Sequence, residues 1–255
     1  MKLSVLGCHG GASLHHRTSS FLVDDTLALD AGAVCSMLTL EAQRAIREVL
    51  ITHSHFDHVR ELSTLVDNRC QQGGPTLDVY ALQETIDTLK THFFNNLMWP
   101  DFSTIQTPFG PALRFHPLHF EQEIQIREYR ILPVEMNHTV ASAGFLIRHG
   151  DKVLAYSGDT GPTDRFWEVL NDCPGLKAVI AEVALPNAQQ HLADLSKHHT
   201  PASLGRDLDK LDVRDVRILL FHLKPVFESV VKEELAALPH QGLRILELGE
   251  ELHID

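Results

Sequence analysis

The sequence predicts an α/β protein built from two mixed sheets packed face to face, with helices covering both outer faces. Three observations carry that expectation. Short β-branched or apolar runs recur along the whole chain, helical patterns separate many of them, and no linker, low-complexity tract or exact repeat breaks the series. With 255 residues, 44 % of them hydrophobic and 22 % charged, the chain can bury one large core, so a single domain spanning residues 1–255 is expected.

The elements follow in order. KLSVL, SFLVD and TLALD read as strands, a helical stretch runs from about Met37 to Arg47, and EVLIT leads into a histidine-rich loop. Further strands are expected at LDVYA, ALRFHPL, YRILPVEM, AGFLIRH, KVLAYSG, KAVIAEV, VRILLFH and LRILEL. Helices are expected near 59–69, 82–93, 163–171, 201–211 and 227–237, with Pro162 and Thr163 opening one and Pro201 another. Ser54 and Asp57 suit a helix N-terminus ahead of the apolar series Val59, Leu62, Leu65, Val66.

Charge narrows the partners. Lys plus Arg is 22 against 34 Asp plus Glu, a net charge of −12, and a surface of that sign repels a phosphate backbone. Nucleic acid is therefore disfavoured, whereas a small anion remains acceptable where bound cations supply local positive charge. Cys8, Cys35, Cys70 and Cys173 are widely spaced with no CxxC, which argues for free thiols over a zinc knuckle or a disulfide framework. The opening MKLSVLGCHGG has one lysine and only a five-residue semi-apolar run, shorter than a signal peptide is expected to need, and no later apolar run approaches the roughly 18 residues of a membrane span. A cytoplasmic protein without a membrane partner is expected, and a homodimer is compatible with the sequence.

The chemistry concentrates at ITHSHFDH, residues 51–58, where His53, His55, Asp57 and His58 follow a predicted strand. Imidazoles and a carboxylate brought around a small volume suit a borderline divalent ion. Later candidates also follow predicted strands: His138 in VEMNHTV, Asp159 in SGDTG and His222 in FHLKP. Taken singly, a histidine after a strand is an ordinary polar residue and SGDTG a plain turn. Their joint occurrence points to a metal centre, because strand ends of a layered sheet converge on one crevice.

These residues, in this order, resemble the signature of the metallo-β-lactamase-fold hydrolases: HxHxDH, a later His, a later Asp and a final His. The resemblance spans nearly the whole chain, from LSVLGCHGG through FHLKP. It implies an αββα four-layer sandwich of the metallo-β-lactamase type, with His53, His55 and His138 on one metal, Asp57, His58 and His222 on a second, and Asp159 bridging them. Two divalent ions are implied, with zinc best suited to the imidazoles and manganese or iron compatible. The Asp of HxHxDH, the SGDT turn and the HLKP ending look like the phosphodiesterase branch. THFFNNLMWPDFS and KHHTPASLGRDLDKL resemble stretches of the class II cyclic-nucleotide phosphodiesterases. The competing subgroup, the tRNA 3′-processing endonucleases, typically carries a long Gly/Pro-rich arm that has no counterpart here.

The resemblance implies hydrolysis of a small phosphodiester, most of all a 3′,5′-cyclic nucleotide to the 5′-nucleotide. The alternatives are a tRNA 3′-processing activity and a thioester or lactone hydrolase of the same fold. Asp57 would bind metal and orient the attacking water. A leaving alkoxide needs a proton, and KHHTP offers His198 or His199. The tRNA enzymes pair such a His with a Glu from an earlier strand end, which makes His198 the expected donor and Glu182 its orienter. Trp99, Phe93 and Asn96 are expected to bind substrate, as a stacking face and an amide for a purine edge. His15, His16, Asp24 and Asp30 are assigned only loop and strand-end polarity, with the paired histidines facing solvent.

Overall fold

Alternation along the strands sorts the apolar residues into three layers, because successive side chains point to opposite faces of a sheet. Along the second strand Phe21 and Val23 face one layer and Leu22 another; along the third, Leu27 and Leu29 face the first and Ala28 the second. The computed structural model describes residues 1–255.

Two seven-stranded sheets result. The first is ordered Glu251–His253, Lys2–Gly7, Ser20–Val23, Leu27–Leu29, Glu48–Leu50, Leu77–Leu82, Leu113–Leu118. It is antiparallel through Leu27–Leu29 and parallel beyond. The second is ordered Leu243–Ile245, Arg217–Phe221, Leu176–Glu182, Lys152–Tyr156, Ala143–His149, Tyr129–Glu135, Ile124–Ile126. Its first four strands are parallel and the others antiparallel.

The middle layer joins the sheets: Leu3, Val5, Phe21 and Leu29 of the first meet Phe145, Ile147, Tyr156 and Phe221 of the second. Phe21 sets its edge against the rings of Tyr156 and Phe221 at 5.4 and 5.6 Å. On the outer face of the first sheet, Val49, Ile51 and Val79 pack beneath Leu62, Leu65 and Val66 of helix Leu62–Gln71 and Ile86 and Leu89 of helix Gln83–His92. On the outer face of the second, Val153, Val179 and Leu220 pack beneath helices Arg165–Asn171, Pro201–Leu208 and Glu228–Ala236. Three apolar layers between four structural ones make the αββα sandwich.

Helix starts follow the expected chemistry in places. Thr200 caps Pro201–Leu208 in a reciprocal box with Ser203. The single helix expected over Met37 to Arg47 is instead two, Val34–Met37 and Leu40–Ala45, because Thr39 is extended and caps the second by accepting from Ala42 N–H. Helix Gln190–Ser196 and the strands Ile124–Ile126 and Glu251–His253 have no counterpart among the expected elements. All four cysteines are free thiols. No helix is long and apolar enough to cross a membrane.

Candidate metal centre

The strands Leu27–Leu29 and Glu48–Leu50 run parallel in one sheet, as do Lys152–Tyr156, Leu176–Glu182 and Arg217–Phe221 in the other. Tyr129–Glu135 shares the direction of Lys152–Tyr156, since both are antiparallel to the strand between them. Loops at the C-terminal ends of such strands meet at one rim, and every candidate metal residue lies there.

After Leu50 the chain stays extended and enters the one-turn helix Phe56–Val59 with His55 as N-cap. The cap uses no side chain: Asp57 lies in the first turn, as expected of an acid at a helix N-terminus, and Ser54 stays outside the helix without capping it. Gly32 makes room for this turn: a Cβ there would stand 2.2 Å from the carbonyl oxygen of Asp57. His222 holds φ at 73°, the left-handed region that costs a non-glycine residue of order 1–3 kcal/mol. Its backbone is secured by donating N–H to Cys8 O at 2.7 Å.

The seven side chains fall into two groups. His53, His55 and His138 bring one nitrogen each within 4.8 Å of one another, and so do the donor atoms of Asp57, His58, Asp159 and His222. Asp159 stands between them: its Oδ2 lies 3.2 Å from His58 Nε2 and 4.0 Å from His53 Nε2, and its Oδ1 3.1 Å from His222 Nδ1. Asp57 Oδ2 lies 4.0 Å from the Nε2 atoms of both His58 and His222. His55 Nδ1 and His138 Nε2 are 3.1 Å apart.

Hydrogen bonds fix which nitrogens are free. His53 Nδ1–H donates to Thr52 Oγ1 at 2.9 Å, Thr52 Oγ1–H donates to Asp30 at 3.0 Å, and His58 Nδ1–H donates to Asp30 Oδ2 at 2.7 Å. His138 Nδ1–H donates to Lys197 O at 3.1 Å. Each ring thus turns an Nε2 lone pair inward, as oxygen acceptors behind ligating imidazoles do. His53 Nε2, His58 Nε2 and Asp159 Oδ1 are buried with no hydrogen-bond partner. Buried polar atoms are rarely left so, and three in one place fit a cation-binding centre. Burial, helped by neighbouring imidazoles, holds His53 well below the usual histidine range, which favours the neutral, ligating form.

Asp30 corrects the sequence expectation. It is fully buried, with φ at 56°, and accepts from Thr52 N–H at 2.8 Å and from Tyr156 O–H at 2.7 Å besides His58 and Thr52 Oγ1. The signal was present in TLALDAG, an acid directly after a strand, as with Asp159. Tyr156 and Ser19, which lies 3.2 Å from His222 Nδ1, carried no such signal because they lie within or at the edge of strands that read simply as core. His16 differs too: its Nε2 faces Glu228 Oε2 at 2.9 Å rather than open solvent.

Beside the two groups, His198 Nδ1–H donates to Glu182 Oε1 at 2.5 Å, and the His199 backbone N–H donates to Glu182 Oε2 at 2.9 Å. The His198 ring stacks at 5.3 Å on His222 and sits 5.3 Å from His138. Burial alone would lower its pKa, but the Glu182 carboxylate outweighs it and raises it. His199 turns the other way, with Nδ1 against Ser203 Oγ at 3.0 Å, and burial holds its pKa down at about 4.

The segment expected to bind substrate lies alongside. Phe93 approaches Phe56 of the metal loop, with centroids 6.2 Å apart, and Trp99 packs with Phe93 on the outer core layer. Asn96 sits in a tight turn at φ 62°, where its Oδ1 accepts from Asp101 N–H at 2.9 Å. A cavity of about 490 Å³ opens at His138, with Asn137, Lys197 and Arg165 on its walls.

A family model described as "Beta-lactamase superfamily domain" matches residues 29–222. A relative named "Probable 3′,5′-cyclic-nucleotide phosphodiesterase", from Yersinia pestis, is 28 % identical over a match covering 88 % of this chain and 78 % of that protein. A "Ribonuclease Z" from Metallosphaera sedula is 26 % identical over 59 % of this chain and 50 % of its own. The crystal structure of unliganded yeast PDE1 superposes with a TM-score of 0.84 at 19 % identity, covering 96 % of this chain and 97 % of that one, which is a likeness of fold. The chain belongs to the beta-lactamase superfamily, as a metal-dependent hydrolase of the metallo-β-lactamase fold.

Proposed function

We propose that the chain is a binuclear metal-dependent phosphodiesterase that opens a 3′,5′-cyclic nucleotide to the 5′-nucleotide. The observation that carries this reading is the shared Asp159 between two donor sets, with His198 set beside them and its Nδ1 already committed to Glu182. His53, His55 and His138 would hold one ion and Asp57, His58 and His222 the other, zinc being the best match to this donor set. Two such ions supply Lewis-acid stabilisation of charge on the phosphoryl oxygens and ease ionisation of the attacking water.

The protein's own groups do the rest. Asp57, partly exposed at the rim, accepts a hydrogen bond from the attacking water and aims it. His198 carries the proton on Nε2 and delivers it to the departing O3′, while Glu182 steadies the imidazolium through Nδ1. The attacking water gives up a proton to solvent, its oxygen bonds to phosphorus, the P–O3′ bond breaks, and O3′ leaves as an alcohol bearing the proton from His198, which is then reprotonated from solvent. The wall of Phe93 and Trp99, with Asn96, is assigned to the base, and Lys197 beside His138 suits the anionic end of the same ligand. A cytoplasmic location is part of the same proposal.

Support for the cyclic nucleotide comes from the Yersinia pestis relative, whose match covers most of both chains, and from the net charge of −12, which disfavours a long polyanion. The tRNA-processing reading draws on the shorter Ribonuclease Z match. Incubating zinc-loaded protein with cyclic AMP, cyclic GMP, a thioester, a lactone and a precursor tRNA separates them. Release of a 5′-nucleotide supports the proposal; a trimmed tRNA, or acyl hydrolysis alone, replaces it.

A further inference from the structure

A second constellation of ligand-type side chains lies outside the centre described above. His9 and His16 come from the loop after the first strand and Glu228 from the start of helix Glu228–Ala236; their donor atoms lie within 4.8 Å of one another. We propose that these three residues form an additional divalent-cation site, suited to zinc, that staples the loop to the helix.

The surroundings of the three residues suit a cation. His16 Nδ1 lies on Ser13 Oγ at 2.5 Å, so Nδ1–H is donated there and Nε2, which faces Glu228, serves a metal once its proton is displaced. His9 Nδ1 lies 3.3 Å from both the carbonyl oxygen and the N–H of Arg17; donating to the oxygen frees its Nε2 in the same way. Glu228 is likewise prepared: Lys232 Nζ holds its Oε1 at 2.5 Å, leaving Oε2 to face His16 Nε2 at 2.9 Å. Lys232 is also the main reason its carboxyl stays below the usual range, and burial keeps His9 on the neutral side.

The rings of His9 and His16 meet edge to face, 4.6 Å apart and inclined by 87°, so they approach one point from two directions. Tetrahedral zinc sets donors about 3.4 Å apart, and small rotations of three partly exposed side chains close the difference. Two imidazoles and one carboxylate fill three positions and leave the fourth to water. The site's location gives it a purpose. His9 bridges to Thr18 and Leu223, and Cys8 O receives the N–H of His222, so an ion here braces the strained backbone of a main-centre residue.

The test is elemental analysis of desalted protein prepared with zinc alone. Wild type should hold one ion more per chain than either Glu228→Gln or His16→Gln, and the variants should keep their hydrolysis of bis(p-nitrophenyl) phosphate to within a few-fold. The same zinc content in wild type and in both folded variants overturns the site. Should both variants fail to fold, anomalous scattering from zinc-grown wild-type crystals decides: a peak among His9, His16 and Glu228 supports the site, and its absence removes it.

Discussion

Asp30 Oδ2 takes the Nδ1–H of His58 and the hydroxyl of Tyr156, each at 2.7 Å, so one buried carboxylate joins a residue of the metal loop to the opposite sheet. That contact sets the orientation of His58 before any ion binds. Replacing Asp30 by Ala should weaken the more labile metal by about 10- to 100-fold, the usual cost of losing a group behind a ligand. Competition with a chromogenic chelator measures it. Wild-type affinity in the variant would show that His58 is held by packing alone.

Asp159 reaches both donor groups. Asp159→Ala should therefore lose both ions together, while His138→Ala, at the edge of one group, should release one ion more readily than the other. Metal content after dialysis distinguishes the two patterns. One ion retained as tightly as in wild type by Asp159→Ala would separate the sites and end the bridging assignment.

His198 should matter in proportion to how badly the leaving group needs a proton. His198→Ala is expected to keep its metals but to lose about 10²- to 10⁴-fold in kcat on a cyclic nucleotide, and far less on an activated aryl ester. Similar losses on both substrates would take the proton-donor role away from it.

The pH profile carries a further sign. Glu182 raises the pKa of His198 against the opposing effect of burial, so the protonated, donating form survives to higher pH than it otherwise would. Activity on the cyclic nucleotide should fall as pH rises through that pKa. Glu182→Gln removes the raising carboxylate, so the alkaline fall should move to lower pH. An unmoved alkaline limb would mean that another group sets it.

Trp99→Ala should raise KM for a purine cyclic nucleotide while leaving bis(p-nitrophenyl) phosphate nearly unaffected, because only the former presents a base to the aromatic wall. Equal changes in both KM values would return Trp99 to the core layer it packs against.

The layers were legible because strand alternation repeats across so many runs: Phe21, Leu22 and Val23 already divide between two cores. The cluster of His53, His55, Asp57, His58, His138, Asp159 and His222 was legible because each follows a strand, and parallel strands bring their ends to one rim. Tyr156 was hidden, since its ring is core and only its hydroxyl, aimed across the sandwich, takes part. The break at Thr39 was hidden for a different reason: a residue that both ends one helical pattern and caps the next leaves the apolar spacing nearly intact. The choice between His198 and His199 depended on which side each ring faces. The two are adjacent, yet one reaches Glu182 and the other Ser203, and spacing alone carries no trace of that difference.

The central claim is tested most directly by incubating zinc-loaded wild type with cyclic AMP and cyclic GMP and identifying the product. The account predicts 5′-nucleotide, formed at a rate that collapses on chelation and returns with added zinc. Cyclic nucleotides left intact over hours at micromolar enzyme, with a precursor tRNA cut at its 3′ trailer in the same buffer, would contradict it.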